Sequence, residues 1–271
     1  MLELYQFELS QYSEKVRLIL DYKGLEYKKI EVTPGIGQLE VFRISGQRQV
    51  PVLKDGDTVI ADSTAIAFYL ERKYPERPII PEDPVAKGKC LLLEDWADES
   101  LGIKGRKAFI GALNYYPEFR KSFLPKDTPD ILKNVITAFP PDILRIIGTG
   151  VGLGVDIFKE AEKELKRVLE ALTLILQSQP YLTGDQPTLA DLTVAALSTI
   201  IKFPPVRYYD VNIEIEGKGI PGIADNPAYQ PFFEWRDRLY ATYRQPVSKS
   251  SSDGSSSGSN NGDKPTTIEI E

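Results

Sequence analysis

Residues 2–17 read LELYQFELSQYSEKVR, and the interpretation of this stretch organises the rest of the chain. Leu2, Leu4, Tyr5 and Phe7 make residues 2–7 β-prone. A tight turn follows. The spacing of Val16, Ile19 and Leu20 then predicts a helix that Gly24 stops as its C′ residue. Ser10 falls where turn meets helix. The first-turn N–H groups there lack helical partners and the helix dipole is positive, so the position suits an anion, a thiolate or a plain capping hydroxyl.

Working outward, Leu25 to Val32 reads as a strand with Ile30 and Val32 alternating, which completes a short parallel βαβ unit. Pro34-Gly35-Ile36-Gly37 breaks it, and Leu39 to Ile44 reads as a short helix. Val50-Pro51-Val52-Leu53 and Thr58-Val59-Ile60-Ala61 flank an Asp55-Gly56 turn, a hairpin signature. Asp62-Ser63 then offers an N-cap to a helix carrying Ile66, Ala67, Phe68 and Leu70, which Tyr74-Pro75 ends. Residues 1–76 are therefore expected to form an α/β domain of order βαβ-α-ββα, followed by a proline-rich linker over 77–84.

From 85 to 246 the period is helical, so an all-α domain is expected. Helices are read over Val85–Leu101, with Leu92, Leu93 and Trp96 buried, and over Ile157–Gln177, with Ala161, Leu165, Val168, Leu172 and Ile175 in register. Two more are read over Thr188–Ile201 and Asn226–Tyr243. Thr188 and Asp191 form a capping box, a structural device rather than a catalytic one. Residues 104–154 are too long for a connection and read as an insertion: either short helices, Asp130–Phe139 among them, or a mobile flap. Tyr115, Tyr116, Phe119 and Phe123 in it are read as packing rather than as a lid. The glycine run at 148–154 reads as a hinge, since it lacks phosphate-loop spacing. Residues 247–271 read as a disordered tail.

Composition limits the chemistry. The net charge of −6 over 271 residues does not suggest a nucleic-acid or anionic-membrane surface. There is no histidine, which removes imidazole bases, imidazole metal ligation and any Ser-His-Asp triad. No carboxylate cluster calls for a metal. Cys90 has no second cysteine to pair with and reads as a small core residue in a reducing compartment. With neither a signal-peptide pattern nor a run of about 18 apolar residues, a soluble cytoplasmic protein is expected.

Several local sequences, in order, resemble the soluble glutathione transferases. Ser10-Gln11-Tyr12-Ser13-Glu14-Lys15-Val16-Arg17 is similar to the family's Ser/Cys-Pro-Phe/Tyr-x-x-Lys/Arg-x-Arg stretch, with Gln11 replacing the proline. Val50-Pro51-Val52-Leu53 resembles its Val/Ile-Pro-x-Leu, where the proline is cis, and Asp62-Ser63-Thr64-Ala65-Ile66 its Glu/Gln-Ser-x-x-Ile. Tyr181-Leu182-Thr183-Gly184-Asp185 with Thr188-Leu189-Ala190-Asp191 is similar to its helical-domain motif, and Asn226-Pro227 with Trp235 and Arg238 to its last core helix. The resemblance covers 1–103 and 156–243. It implies a thioredoxin-like domain followed by an all-helical one, with the insertion atypical.

The resemblance also implies a site. A serine-type member would stabilise the thiolate of glutathione, a co-substrate rather than a cofactor, through Ser10, with Tyr12 and Ser13 as alternative donors. Val50 and the cis Pro51 would pair with the cysteinyl backbone. Asp62 would face the α-amino group, and Ser63 the γ-glutamyl carboxylate. Gln49 would meet the tripeptide backbone, and Arg48 or nearby lysines the glycyl carboxylate. The thiolate would attack a small electrophile, and the assembly implied is a homodimer. Two other readings stand beside this one: a non-catalytic binding or interaction protein on the same fold, and a glutathione-dependent isomerase.

Overall fold

The computed structural model describes residues 1–33, 37–124, 128–132 and 155–247. The expected breaker loop at Pro34–Ile36, the glycine run at 148–154, the tail from Ser248 and most of the proposed Asp130–Phe139 helix lie outside the described residues.

β1 (Leu2–Gln6) is central in a four-stranded sheet of order β2-β1-β3-β4. It pairs in parallel with β2 (Tyr27–Glu31) and antiparallel with β3 (Val52–Asp55). β3 forms the hairpin with β4 (Thr58–Ala61), in the register Leu53↔Ile60. The period-two pattern of β1 places Leu2 and Leu4 in the core. The crossover is α1 (Gln11–Lys23), which Gly24 closes at φ 71°, a conformation open to a residue without Cβ. α2 (Gln38–Ser45) and α3 (Ser63–Lys73) complete a thioredoxin-like βαβ-α-ββα unit.

The remainder is helical: α4 (Pro84–Trp96), a π-helical turn (Ala97–Gly102), α5 (Ile103–Tyr115), α6 (Pro117–Lys121), α7 (Val155–Ser178), α8 (Leu189–Leu197) and α9 (Gln230–Tyr243). α8 is buried on every side and packs between α1 and α4. This explains its composition, apolar except for Asp191 and Thr193. The Asp191 carboxylate accepts from the Thr188 N–H at 2.9 Å, the Thr188 hydroxyl at 2.9 Å and the Leu182 N–H at 2.7 Å. One apolar core runs through both halves, and Cys90 is part of it.

Several readings of this half need correction. The chain does not leave helical geometry at Leu101. The π-turn carries it into α5, so residues 104–115 are helix packed on α7, the short-helix alternative rather than the flap. Cys90, Glu94, Ala97 and Leu101, at i, i+4, i+7 and i+11, set the buried face, and Leu92 lies off it and is 72% exposed. Leu93 and Trp96 are half-buried, as is Ile175. The Thr188 helix ends at Leu197 rather than Ile201, and the Asn226 helix opens with a 3-10 turn, Pro227–Tyr229.

Candidate functional site

A cleft of about 690 Å³ opens where the sheet half meets α5. Residues far apart in the chain converge on it: Ser10 and Tyr12; Arg48, Gln49, Val50 and Pro51; Asp62 and Ser63. The Val50–Pro51 bond is cis.

Ser10 caps α1. Its Oγ accepts from the Ser13 N–H at 3.2 Å and its carbonyl from the Glu14 N–H at 2.9 Å. An accepting hydroxyl still has its own proton to donate, so capping and binding at Ser10 are compatible. Tyr12 also lines the cleft, but its hydroxyl donates to the Asp98 carbonyl at 3.1 Å. Burial first, and then the Asp98 charge, push the phenol up to about 12, so it is neutral at physiological pH. Ser13 is wholly buried, does not line the cleft, and its Oγ has no hydrogen-bond partner among the described residues. The structure therefore does not bring Ser13 to the site.

Asp62 caps α3 from a backbone φ of 81°, an unusual conformation for a residue with a side chain. Its Oδ1 accepts from the Thr64 and Ala65 N–H groups at 3.0 and 2.9 Å. Ser63, buried at 3% exposure, forms the cleft floor beside it at the first helical position.

Beneath the cleft lies a network that sequence reading missed. Lys15 is fully buried, and its Nζ donates to Thr64 Oγ1 at 2.9 Å, Glu94 Oε1 at 2.6 Å and Asp98 Oδ1 at 2.7 Å. One ammonium thus joins α1, α3, α4 and the π-turn. Burial raises the Asp98 carboxyl above its usual range, and the Lys15 charge opposes this. A lysine on a helix ordinarily reads as solvated; the signal for this one was its place inside the Ser10–Arg17 motif. Gln11 adds a second tie, its Nε2 donating to the Gly102 carbonyl at 2.8 Å. A Cβ on Gly102 would stand 2.7 Å from the Tyr12 hydroxyl, so a glycine is what lets the π-turn close on the first turn of α1.

The opposite wall is apolar: Ile103, Phe109, Ile110 and Leu113 from α5, with Phe123, Ile200 and Phe203. Phe109 and Phe123 meet edge to face at 5.1 Å. Phe123 thus both packs and lines the cleft. Tyr115 and Tyr116 instead pack on Phe158. Among the described residues no group of three metal-ligating side chains occurs, and no helix is long and apolar enough to cross a membrane.

The glutathione S-transferase N-terminal domain model matches residues 4–78 and the C-terminal domain model residues 155–238, together more than half of the chain. Glutathione S-transferase 1 of Dianthus caryophyllus is 45% identical over 85 residues, which is 30% of this chain and 38% of that protein. The chain thus spans well under half the length of that curated relative. A glutathione S-transferase of Rhodospirillum rubrum superposes with TM-score 0.60 at 22% identity, covering 89% of this chain and 88% of its own. A glutathione S-transferase-I structure bound with lactoylglutathione superposes with TM-score 0.59 at 18% identity, covering 88% and 93%. These two likenesses speak to fold.

Proposed function

Because the chain belongs to the glutathione S-transferase family, we propose that its cleft binds glutathione and activates the thiol for attack on a small electrophile. The observation that carries this is the convergence of Ser10, Val50–Pro51 and Asp62–Ser63 on one cleft. The structural neighbour bound with lactoylglutathione supports a glutathione derivative as the ligand.

In this reading Ser10 donates its hydroxyl proton to the sulfur, and the amino end of α1 adds its field. A free thiol titrates near about 8.5, so either contribution enlarges the thiolate fraction at neutral pH. Val50 pairs with the cysteinyl backbone. Asp62 meets the α-amino group. Ser63 and the start of α3 hold the γ-glutamyl carboxylate, Gln49 the peptide, and Arg48 the glycyl carboxylate. Tyr12 is not the donor, since its proton is committed to Asp98. The electrophile occupies the apolar wall. Glutathione is consumed as a co-substrate, and the chemistry calls for no metal.

Residues 1–76 are the glutathione-binding unit, 77–84 the linker, and 85–246 the unit that shapes the electrophile pocket. A cytoplasmic homodimer is the expected form, and sedimentation tests the assembly. The deciding experiment is glutathione-affinity retention with thiol conjugation, comparing wild type with Ser10→Ala. Ser10→Ala is expected to keep most ligand affinity and lose about tenfold or more in conjugation at neutral pH. Retention without conjugation in the wild type supports the non-catalytic reading instead. Absence of both overturns the proposal.

A further inference from the structure

We propose that Arg106 is the anion-reading end of a second-substrate face on α5, so that the cleft selects electrophiles whose flat apolar body carries an acidic group. The inference rests on the glutathione reading above. Arg106, Phe109, Ile110 and Leu113 all line the cleft, and their i, i+3, i+4, i+7 spacing puts them on one helix face. Seven residues of helix span about 10 Å, the length of a substituted aromatic ring. Phe123 and Phe203 stand across from this face, meeting Phe109 at 5.1 and 6.1 Å and each other at 5.6 Å. Aromatic edges and faces set in this way suit a planar guest.

Arg106 is exposed at the cleft and forms no hydrogen bond or ion pair with any described residue. Arg106 lies at the N-terminal end of the cleft-lining stripe of α5, one turn after Ile103, and its charge favours ionisation of the Tyr12 phenol. Two of the three acids lining the cleft are engaged elsewhere. Asp98 is held by Lys15 at 2.7 Å, and Asp62 caps α3. Glu99 lines the same mouth, with no ion pair to Arg106. The other cation of the cleft, Arg48, sits beside Gln49 on the opposite wall, where glutathione itself would use it. A planar guanidinium with no partner among the described residues, beside an apolar stripe, suits a carboxylate through two parallel N–H···O bonds.

On such a substrate, a 4-chloro-3-nitrobenzoate, the thiolate attacks the ring carbon bearing chlorine. A C–S bond forms, the C–Cl bond breaks, and chloride leaves with the bonding pair; the thiol proton has already gone to solvent. The test needs no turnover. Wild type, Arg106→Gln and Arg106→Lys are titrated calorimetrically with glutathione, with S-(4-carboxy-2-nitrophenyl)glutathione and with its carboxamide analogue. Because Arg106 is exposed, its contribution is at the modest end for a charge pair. Arg106→Gln is expected to weaken the carboxylate conjugate about fivefold. Glutathione and the carboxamide should bind unchanged, and Arg106→Lys should recover most of the loss. An equal effect on both conjugates, or none on either, overturns the inference. Failure of wild type to bind glutathione at all overturns the underlying reading, and this inference with it.

Discussion

Arg244 Nε lies 2.9 Å from Glu14 Oε1, a buried pair that closes the last described residues onto the helix that Ser10 caps. Arg244 Nη1 reaches Asp21 at 2.6 Å as well, and Arg17 holds the other side of Glu14 at 2.6 Å. Burial alone would raise the Glu14 carboxyl. Arg244 and Arg17 outweigh it and hold the group below its usual range. Arg244→Met should therefore cost about 3–5 kcal/mol, because it leaves Glu14 and Asp21 buried with too little countercharge. Urea unfolding measures this. The pH sign follows from the lowered Glu14 pKa. Its contribution is present above the unfolded carboxylate value and is lost as pH falls through the folded one. In Arg244→Met the Glu14 pKa moves back towards its unfolded value and that of Asp21 rises further, so the acid-side loss should shrink and the acid limb flatten; an unchanged acid limb would contradict this account.

The chain of buried charges also marks what the sequence could and could not reveal. The Ser10 turn, the Asp55-Gly56 hairpin, Asp62 and the Thr188–Asp191 box were legible because caps and turns are local chemistry between residues a few positions apart. Glu14, Lys15, Arg17 and Arg244 were not. Glu14, Lys15 and Arg244 each look like an ordinary surface charge until a partner tens or hundreds of residues away arrives, and Arg17, though it pairs with nearby Glu8 and Glu14, is buried only because the fold closes over it. The π-turn was invisible for a related reason: one extra residue in a helix leaves composition intact and only rotates the buried stripe. It carries the chain on into α5, a core helix. The cleft's polar wall was therefore readable in outline, whereas its apolar wall depends on where α5 lies.

Asp191 titrates in the opposite sense to Glu14. It is fully buried with no cation paired to it among the described residues, so burial raises its carboxyl from 3.8 to about 6 despite three donated hydrogen bonds. Its contribution is fully present below the unfolded value of 3.8 and is lost as pH rises through about 6. The swing is on the order of 3 kcal/mol. Asp191→Asn should flatten stability between pH 4 and 7, as read by thermal melts across that range. Asp191→Ala should cost about 1 kcal/mol or more at any pH, since the cap itself is gone.

Glycines at close helix contacts separate packing from propensity. A Cβ on Gly111 of α5 would lie 2.0 Å from Phe158 Cδ2 on α7, a rigid ring with no room to retreat. Gly88 of α4 has nothing within 4 Å of the same construction. Gly111→Ala should destabilise by about 1–3 kcal/mol through overpacking. Gly88→Ala should stabilise by about 0.5–1 kcal/mol, as alanine does in an open helix position. Denaturant midpoints with matched slopes decide both; a stabilised Gly111→Ala would show that α5 and α7 are free to separate.

Gly102 offers the corresponding test at the site. A Cβ there would meet the Tyr12 hydroxyl at 2.7 Å and Gln11 Nε2 at 3.2 Å, in the first turn of α1, which Ser10 caps. One turn on, a Cβ at Gly105 would meet Ile201 Cγ1 at 3.5 Å, an ordinary contact. Gly102→Ala should push the π-turn away from Gln11 and break its 2.8 Å bond to the Gly102 carbonyl. A neutral hydrogen bond of this kind is worth about 1 kcal/mol, and the displaced turn carries Ser10 with it. The expected result is glutathione binding weakened about fivefold in Gly102→Ala and unchanged in Gly105→Ala, measured by calorimetry on proteins of similar melting temperature. Equal affinities in the two variants would mean that the π-turn does not position the turn that Ser10 caps.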